Sequence, residues 1–257
     1  MLHQGDLDYR DDPDAWDDLI TDELGADFPY FVSIGNHDVS RFFSPDGYQH
    51  KLRTRLRRIE DARCSGNLGM QSACTFRGLF FILSGIGTVP KRADDRKHVD
   101  FIREQLAQDT SLWRICSWHK TQRALQVGRK TDAVGWDAFE ACRQGGAIIA
   151  SGHEHTYSRT HLMDSFERLS VASTSSTLRI AKGRSFAFVS ALGGKSIRDQ
   201  DRDGPWWAAV YTSDQGANFG ALFCTFFAGG EPDRASCYFK DIDGVVADRF
   251  AIVSEVR

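Results

Sequence analysis

The chain has 257 residues, 41% of them hydrophobic and 26% charged, and its 32 basic against 35 acidic residues leave a formal net charge of −3. That length suits one large domain with a substantial core, or two small ones, and the composition is that of a globular chain rather than a disordered one. No apolar run approaches the ~18 residues of a membrane-crossing helix, and the charge balance gives no electrostatic footprint for nucleic acid.

The first 150 residues alternate strand-like and helix-like segments. Asp12 and Pro13 make a helix start, with Trp16, Leu19, Ile20 and Leu24 predicted on one face and Gly25 at the exit. Residues 28–34 read as a buried strand. The basic run 51–58 falls on a predicted helix with apolar positions Tyr48, Leu52, Leu56 and Ile59, and reads as a solvated helix face. Residues 79–83 are predicted as a strand, and the spacing of Val99, Ile102 and Leu106 predicts a helix. A strand over 113–118 follows, then a helix over 134–142 closed by Gly145-Gly146, then a strand over 147–150. After residue 165 the short runs 186–189, 221–227 and 235–239, separated by Gly and Asp turns, predict antiparallel sheet. No linker-like composition intervenes. Residues 1–257 are therefore read as a single domain, with a motif-bearing α/β half over 1–165 and a mainly antiparallel β half over 166–257.

Four polar clusters stand at the ends of apolar runs: Gly5-Asp6-Leu7-Asp8-Tyr9, Gly35-Asn36-His37-Asp38, Trp118-His119 and Gly152-His153-Glu154-His155. In an open α/β sheet, ligands bind beyond the carboxyl ends of the strands, where these clusters would lie. Each alone has an ordinary alternative. A Gly-Asp after a strand is commonly a turn with a capping carboxylate, and a lone His such as His119 is commonly hydrogen-bonded structure. The Asn36-His37-Asp38 run is more specific, because it offers a ligand, a proton donor and an orienting carboxylate. His153 and His155 alternate in an extended segment, so both can reach one ion or two neighbouring ones.

Other motifs fail. Tyr157 stands where the H-E-x-x-H metalloprotease pattern needs its second His. Asp199, Asp201, Asp203 and Gly204 imitate the front of a calcium loop, but Val210 occupies the position that needs Glu. Gly194-Lys195-Ser196 imitates the end of a phosphate-binding loop, but Val189 occupies the upstream Gly position. Both read as turns. No Ser lies in a G-x-S-x-G context. His3, His50, His98 and His161 have no partner pattern and read as structural. The six cysteines are too widely spaced for a C-x-x-C motif. Cys64 with Cys74, and Cys224 with Cys237, each flank a turn-rich segment; cross-strand disulfides and a secreted origin fit, and so do free buried thiols.

In order and context the clusters resemble the last four motif blocks of the calcineurin-like metallophosphoesterases: Gly-Asp-x-x, Gly-Asn-His-Asp/Glu, an isolated His and Gly-His-x-His. The resemblance covers residues 5–155. Gly5-Asp6-Leu7-Asp8-Tyr9 and Gly152-His153-Glu154-His155-Thr156-Tyr157 look most like the purple acid phosphatase branch, although Asp38 stands where that branch usually has Glu. The resemblance implies a four-layer αββα sandwich of two mixed sheets. It also implies a chain N-terminally truncated and lacking its first strand, since Met1, Leu2, His3 and Gln4 cannot supply the family's first block, Asp-x-His or Asp-x-Gly.

Carried over residue by residue, Asp6 would bridge two metals. Asn36, His119 and His153 would complete one site, and Tyr9 and His155 would serve the other, with Asp8 as a stand-in ligand. His37 would protonate the leaving group, held by Asp38. The implied cofactors are two metal ions, iron with zinc, manganese or a second iron, about 3.5–4 Å apart. The implied activity is hydrolysis of small phosphate monoesters or diesters by attack of a metal-bound hydroxide at a dinuclear centre, with no nucleic-acid or membrane partner. The alternative is a truncated relative that keeps the fold and binds metal or phosphate without turnover.

Overall fold

The computed structural model describes residues 1–89 and 95–257. Strand β1 (Leu2–His3) leads through Gly5 and Asp6 to helix α1 (Pro13–Leu24). Asp12 caps α1, its carboxylate accepting the N–H groups of Asp14 and Ala15 at 3.1 Å each, two donors the helix itself leaves unpaired. Trp16 is buried and Ile20 packs on the core, whereas Leu19 and Leu24 are exposed. The buried stripe is narrower than the sequence predicts, centred on Trp16, which packs edge-on against Tyr30 and Tyr48.

Strand β2 (Phe31–Val32) runs parallel to β1, with Leu2 opposite Phe31 and His3 opposite Val32. It is shorter than the predicted 28–34 because β1 offers only two partners; beyond it the Ile34 N–H turns to the Gly69 carbonyl. Helices α2 (Val39–Phe42) and α3 (Tyr48–Arg57) follow. The basic run on α3 is not uniformly solvated. Arg55 is buried, its Nε 2.6 Å from Asp17 Oδ1 and its Nη2 donating to the Asp17 carbonyl at 2.7 Å, so it ties α3 to α1.

Next come β3 (Arg63–Asn67), β4 (Gln71–Phe76), β5 (Leu79–Ser84), α4 (Asp95–Gln108), β6 (Trp113–Trp118), α5 (Trp136–Gln144) and β7 (Ile148–Ser151). The remainder is strand-rich: β8 (Tyr157–Thr160), β9 (Leu162–Ser165), β10 (Ser170–Ser173), β11 (Thr177–Ile180), β12 (Ala187–Ser190), β13 (Trp207–Tyr211), β14 (Gly220–Phe226), β15 (Arg234–Asp241) and β16 (Val246–Ser254).

The large sheet has eight strands in the order β13-β8-β12-β7-β6-β5-β4-β3, with β5, β6, β7 and β12 mutually parallel. A second sheet, β11-β16-β15-β14, and the β1-β2 pair face it. The later strands are thus mixed rather than purely antiparallel: β12 inserts parallel to β7, and β11 runs parallel to β16. Phe31, Leu83, Ile115, Ile148, Leu178, Phe186, Phe250 and Ile252 fill the space between the sheets. Val99, Ile102, Leu106, Phe139 and Ile149 join α4 and α5 to the outer face of the large sheet, while Trp16, Tyr48, Leu52 and Leu56 pack α1 and α3 on the other side. The layers therefore run helix, sheet, sheet, helix.

All six cysteines are paired. Cys64–Cys74 joins opposed residues of β3 and β4, and Cys224–Cys237 opposed residues of β14 and β15. Cys116–Cys142 fastens α5 to β6, a link that sequence spacing does not suggest.

Candidate metal centre

Asp6 follows β1, Asn36 follows β2, His119 follows β6 and His153 follows β7, so the four clusters meet beyond the carboxyl ends of strands from both facing layers. Just beneath, Ser33 Oγ donates to the Ser117 carbonyl at 2.8 Å and draws those layers together. Gly5 and Gly35 press backbone against backbone. A Cβ on Gly5 would lie 2.3 Å from Gly35 N, and one on Gly35 would lie 2.0 Å from Asp6 N; no side chain fits either place.

Asp38 locks the same two loops. Its buried carboxylate accepts the N–H groups of Asp6 (3.0 Å), Leu7 (2.7 Å) and Gly35 (2.7 Å). Burial pushes its pKa up to about 6, against the pull of the Leu7 and Gly35 donors. The carboxylate expected to hold His37 is therefore spent on backbone, because it points under the loop while His37 is exposed above it.

The metal-facing atoms form a tight set. His119 Nε2 lies 3.2 Å from Asp6 Oδ2, 3.1 Å from Asn36 Oδ1 and 3.0 Å from His153 Nδ1. His119 Nδ1 faces the Gln4 carbonyl at 2.7 Å and can only donate there. In the neutral ring Nε2 is then a lone pair, and it looks onto a carboxylate oxygen, an amide oxygen and a second imidazole nitrogen. Such a set is mutually repulsive until a cation sits among it, and its oxygen and nitrogen donors suit iron, zinc or manganese. Among the described residues, Asp6, His119 and His153 are also the one His/Cys/Asp/Glu group whose donor atoms converge, all within 4.8 Å of one another.

Protonation agrees. Burial lowers the His153 pKa to about 2, helped by His119, which leaves the ring neutral as a ligand requires. For Asp6, burial opposes ionisation, while the His37 N–H, donating to Oδ1 at 2.9 Å, favours the carboxylate. Asp6 and His153 both have left-handed backbone, φ 58° and 66°, a conformation that costs a non-glycine residue on the order of 1–3 kcal/mol.

Tyr9 and His155 lie beside this set in a cavity of about 320 Å³ shared with His37, Lys130, Lys195, Ser196 and Arg198. Tyr9 Oη and His155 Nε2 are 2.9 Å apart, and His155 Nδ1 is 2.6 Å from Ser196 Oγ. Burial and then Arg198 lower the His155 pKa to about 4, while burial and then Asp6 raise the Tyr9 phenol above its usual value. The Tyr9 ring is 4.6 Å from that of His37. Asp8 is elsewhere engaged, its carboxylate accepting the N–H groups of Arg10 and Asp12, so it is not turned toward the cluster as a stand-in ligand. Asp201 pairs with Arg129 and Asp199 accepts from Ser213, as the turn reading of that segment expects.

Sequence reasoning missed four participants. Gln4 acts through its carbonyl, which no side-chain pattern reveals. Glu154, fully buried, accepts Arg198 Nη1 at 2.9 Å and the Lys130 N–H at 3.1 Å. Flanked by two histidines it carries no motif of its own, and the left-handed backbone of His153 makes this segment a turn rather than the extended run the sequence predicts. Lys130 and Arg198 carry no local motif.

The model of the calcineurin-like phosphoesterase family matches residues 1–157. The chain belongs to that family. Among solved structures it is similar to a purple acid phosphatase from yellow lupin (Lupinus luteus) seeds, with TM-score 0.71 and 17% identity over 98% of this chain and 46% of that one. A structure of PhoD aligns with TM-score 0.48 and 11% identity over 88% of this chain and 53% of that one. This chain thus spans about half the length of the structures it resembles, and at these identities the first likeness is one of fold. No curated protein sequence matches it significantly.

Proposed function

We propose that this chain is a metal-dependent phosphoesterase that hydrolyses small phosphate esters at a dinuclear centre. Asp6, Asn36, His119 and His153 would hold one ion, and Tyr9 and His155, with Asp6, would serve a second. The observation that carries this reading is the convergence of Asp6, Asn36 and His153 on Nε2 of His119, within 3.2 Å. The metals, when bound, supply Lewis acidity and make hydroxide available near neutral pH. The protein does the rest. The Gln4 carbonyl fixes the His119 tautomer, as outer partners of histidine ligands commonly do. Asp38 holds the loop that aims Asp6. Lys130, Lys195 and Arg198 make the cavity attractive to a phosphate ester, and His37, exposed at its edge, gives a proton to the leaving oxygen.

A second reading, metal or phosphate binding without turnover, is favoured by the hydrogen bond between Tyr9 and His155, which spends both groups on each other. Metal analysis together with an ester assay separates the two. The chain saturated with zinc or manganese is expected to hold two ions and to hydrolyse an activated aryl phosphate, and His119→Ala to lose both properties. Wild-type protein with bound metal and no hydrolysis of either a monoester or a diester would give the place to the second reading.

A further inference from the structure

Beside the candidate metal cluster, the cavity is lined by residues of two stretches that supply cations but no ligand to the cluster. One is Gly193-Gly194-Lys195-Ser196, the run that imitates a phosphate-binding loop in sequence. It lies along the His-x-His segment: the Ala191 N–H donates to the Thr156 carbonyl at 3.1 Å and the Arg198 N–H to the His155 carbonyl at 3.0 Å. Lys195 Nζ stands 4.7 Å from the Tyr9 ring centre, on the cavity side. The other stretch is 128–130, which closes over Glu154. A Cβ on Gly128 would lie 2.3 Å from the Glu154 carboxyl carbon. The N–H groups of Asp201 and Arg202 donate to the Val127 carbonyl and tie the two stretches together.

Glu154 is the hub. One of its oxygens accepts Arg198 Nη1 and the other the Lys130 N–H. A buried carboxylate with these partners fixes where both cations enter the cavity. The result is a lopsided electrostatic lining: Lys130, Lys195 and Arg198 face a space in which the one lining carboxylate, Asp6, is turned into the metal cluster. A phosphoryl group under attack is neutralised at that cluster. Lys130 and Lys195, with Arg198 held by Glu154, in a cavity roomier than a single phosphate needs, match negative charge elsewhere on the substrate.

We propose that the preferred substrate is an ester whose leaving group carries a second phosphoryl group, received by Lys130, Lys195 and Arg198, with Glu154 as the positioning residue for Arg198 and Lys130. The assignment rests on the metal cluster being the reacting centre. A dianion rather than a carboxylate is the match, because three cationic side chains line the one cavity and charge-assisted hydrogen bonds to phosphate are the strong ones.

The test compares propyl phosphate with propane-1,3-diyl bisphosphate in the zinc-loaded chain. In parallel, calorimetry compares their non-hydrolysable analogues, propylphosphonate and propane-1,3-diphosphonate. The wild type is expected to favour the doubly charged member by about tenfold or more in kcat/KM and in Kd, and the preference to fall to within about threefold in Lys195→Ala and Glu154→Gln. Lys195 is exposed, so its replacement does not threaten folding, and Lys195→Arg should restore most of the preference. A wild-type ratio near one, or a ratio that both variants leave untouched, overturns the proposal. If neither ester is hydrolysed while the diphosphonate still binds preferentially, the hydrolase reading fails and the second-phosphate site is supported.

Discussion

His119 Nδ1 donates to the carbonyl oxygen of Gln4 at 2.7 Å, and that bond decides the proton inventory of the whole cluster. In the neutral ring this makes Nε2 an acceptor among acceptors, a repulsion that a bound cation relieves. Metal should therefore stabilise the fold as well as equip it. Saturation with zinc at about a hundred times Kd adds on the order of 2.7 kcal/mol by mass action, and the melting temperature should rise by several degrees in wild type and by none in His119→Ala. A thermal scan in which zinc shifts both proteins equally would detach the cluster from metal binding.

His37 is exposed beside Tyr9, free of the carboxylate expected to hold it. Its value as an acid depends on the leaving group, since an activated phenolate departs without a proton. His37→Ala should slow hydrolysis of alkyl phosphates by about 10²–10⁴-fold and that of electron-poor aryl phosphates far less. Equal losses on the two series would assign His37 to binding.

Tyr9 is the one phenol in the cavity, 2.9 Å from His155. Its pKa is raised by burial and by the nearby Asp6 carboxylate, so it needs a strongly charged ion to ionise it. Ferric iron should do so and give a visible tyrosinate charge-transfer band, absent in Tyr9→Phe. The cluster around His119, with its fuller donor set, should retain its ion under chelation longer than the Tyr9–His155 position. Bound iron without colour, or colour that persists in Tyr9→Phe, would remove Tyr9 from the ligand set.

Glu140, far from the cluster, fastens α5 to the turn after β9. Its Oε1 accepts the N–H groups of Phe166 and Glu167, and Oε2 lies 2.6 Å from Arg143 Nη2. Burial alone would raise its pKa, but the Arg143 hydrogen bond and the two backbone donors overcome this and lower it. A carboxyl depressed in the folded state contributes stability that is complete above its unfolded pKa and is lost as pH falls through the folded value. Glu140→Gln should cost about 1–2 kcal/mol at neutral pH, and its gap from wild type should close in denaturant titrations below the ordinary glutamate range. A gap of the same size at about pH 3.5 as at about pH 7 would contradict this linkage.

What could be read in the sequence follows from how local each signal is. The Asp12 cap of α1 and the strands that lead to His119 and His153 were legible, because capping and apolar runs act within a few residues. So was the set Asp6, Asn36, His119 and His153, since each sits at a strand end and the fold collects such ends. The parallel insertion of β12 beside β7 was not, because pairing direction is settled by tertiary packing rather than by alternation. Nor was the Cys116–Cys142 link, which joins residues 26 apart on unlike elements. Arg55 looked like one more solvated cation, and only the approach of α1 made it a buried tie to Asp17. Glu154 was hidden by its flanking histidines, and Lys195 by a motif that failed on a distant glycine.

The clamp of Asp38 on the Asp6–Leu7 backbone, and the reach of His119 to Gln4, mean that the donor set draws on segments from both extremes of residues 6–155. No short fragment contains it. Contacts of such sequence separation form late and slowly in folding, so a nascent chain emerging in order would hold Asp6 and Asn36 long before it holds His153. On the proposed reading, the full donor set is complete only once β7 has joined the large sheet.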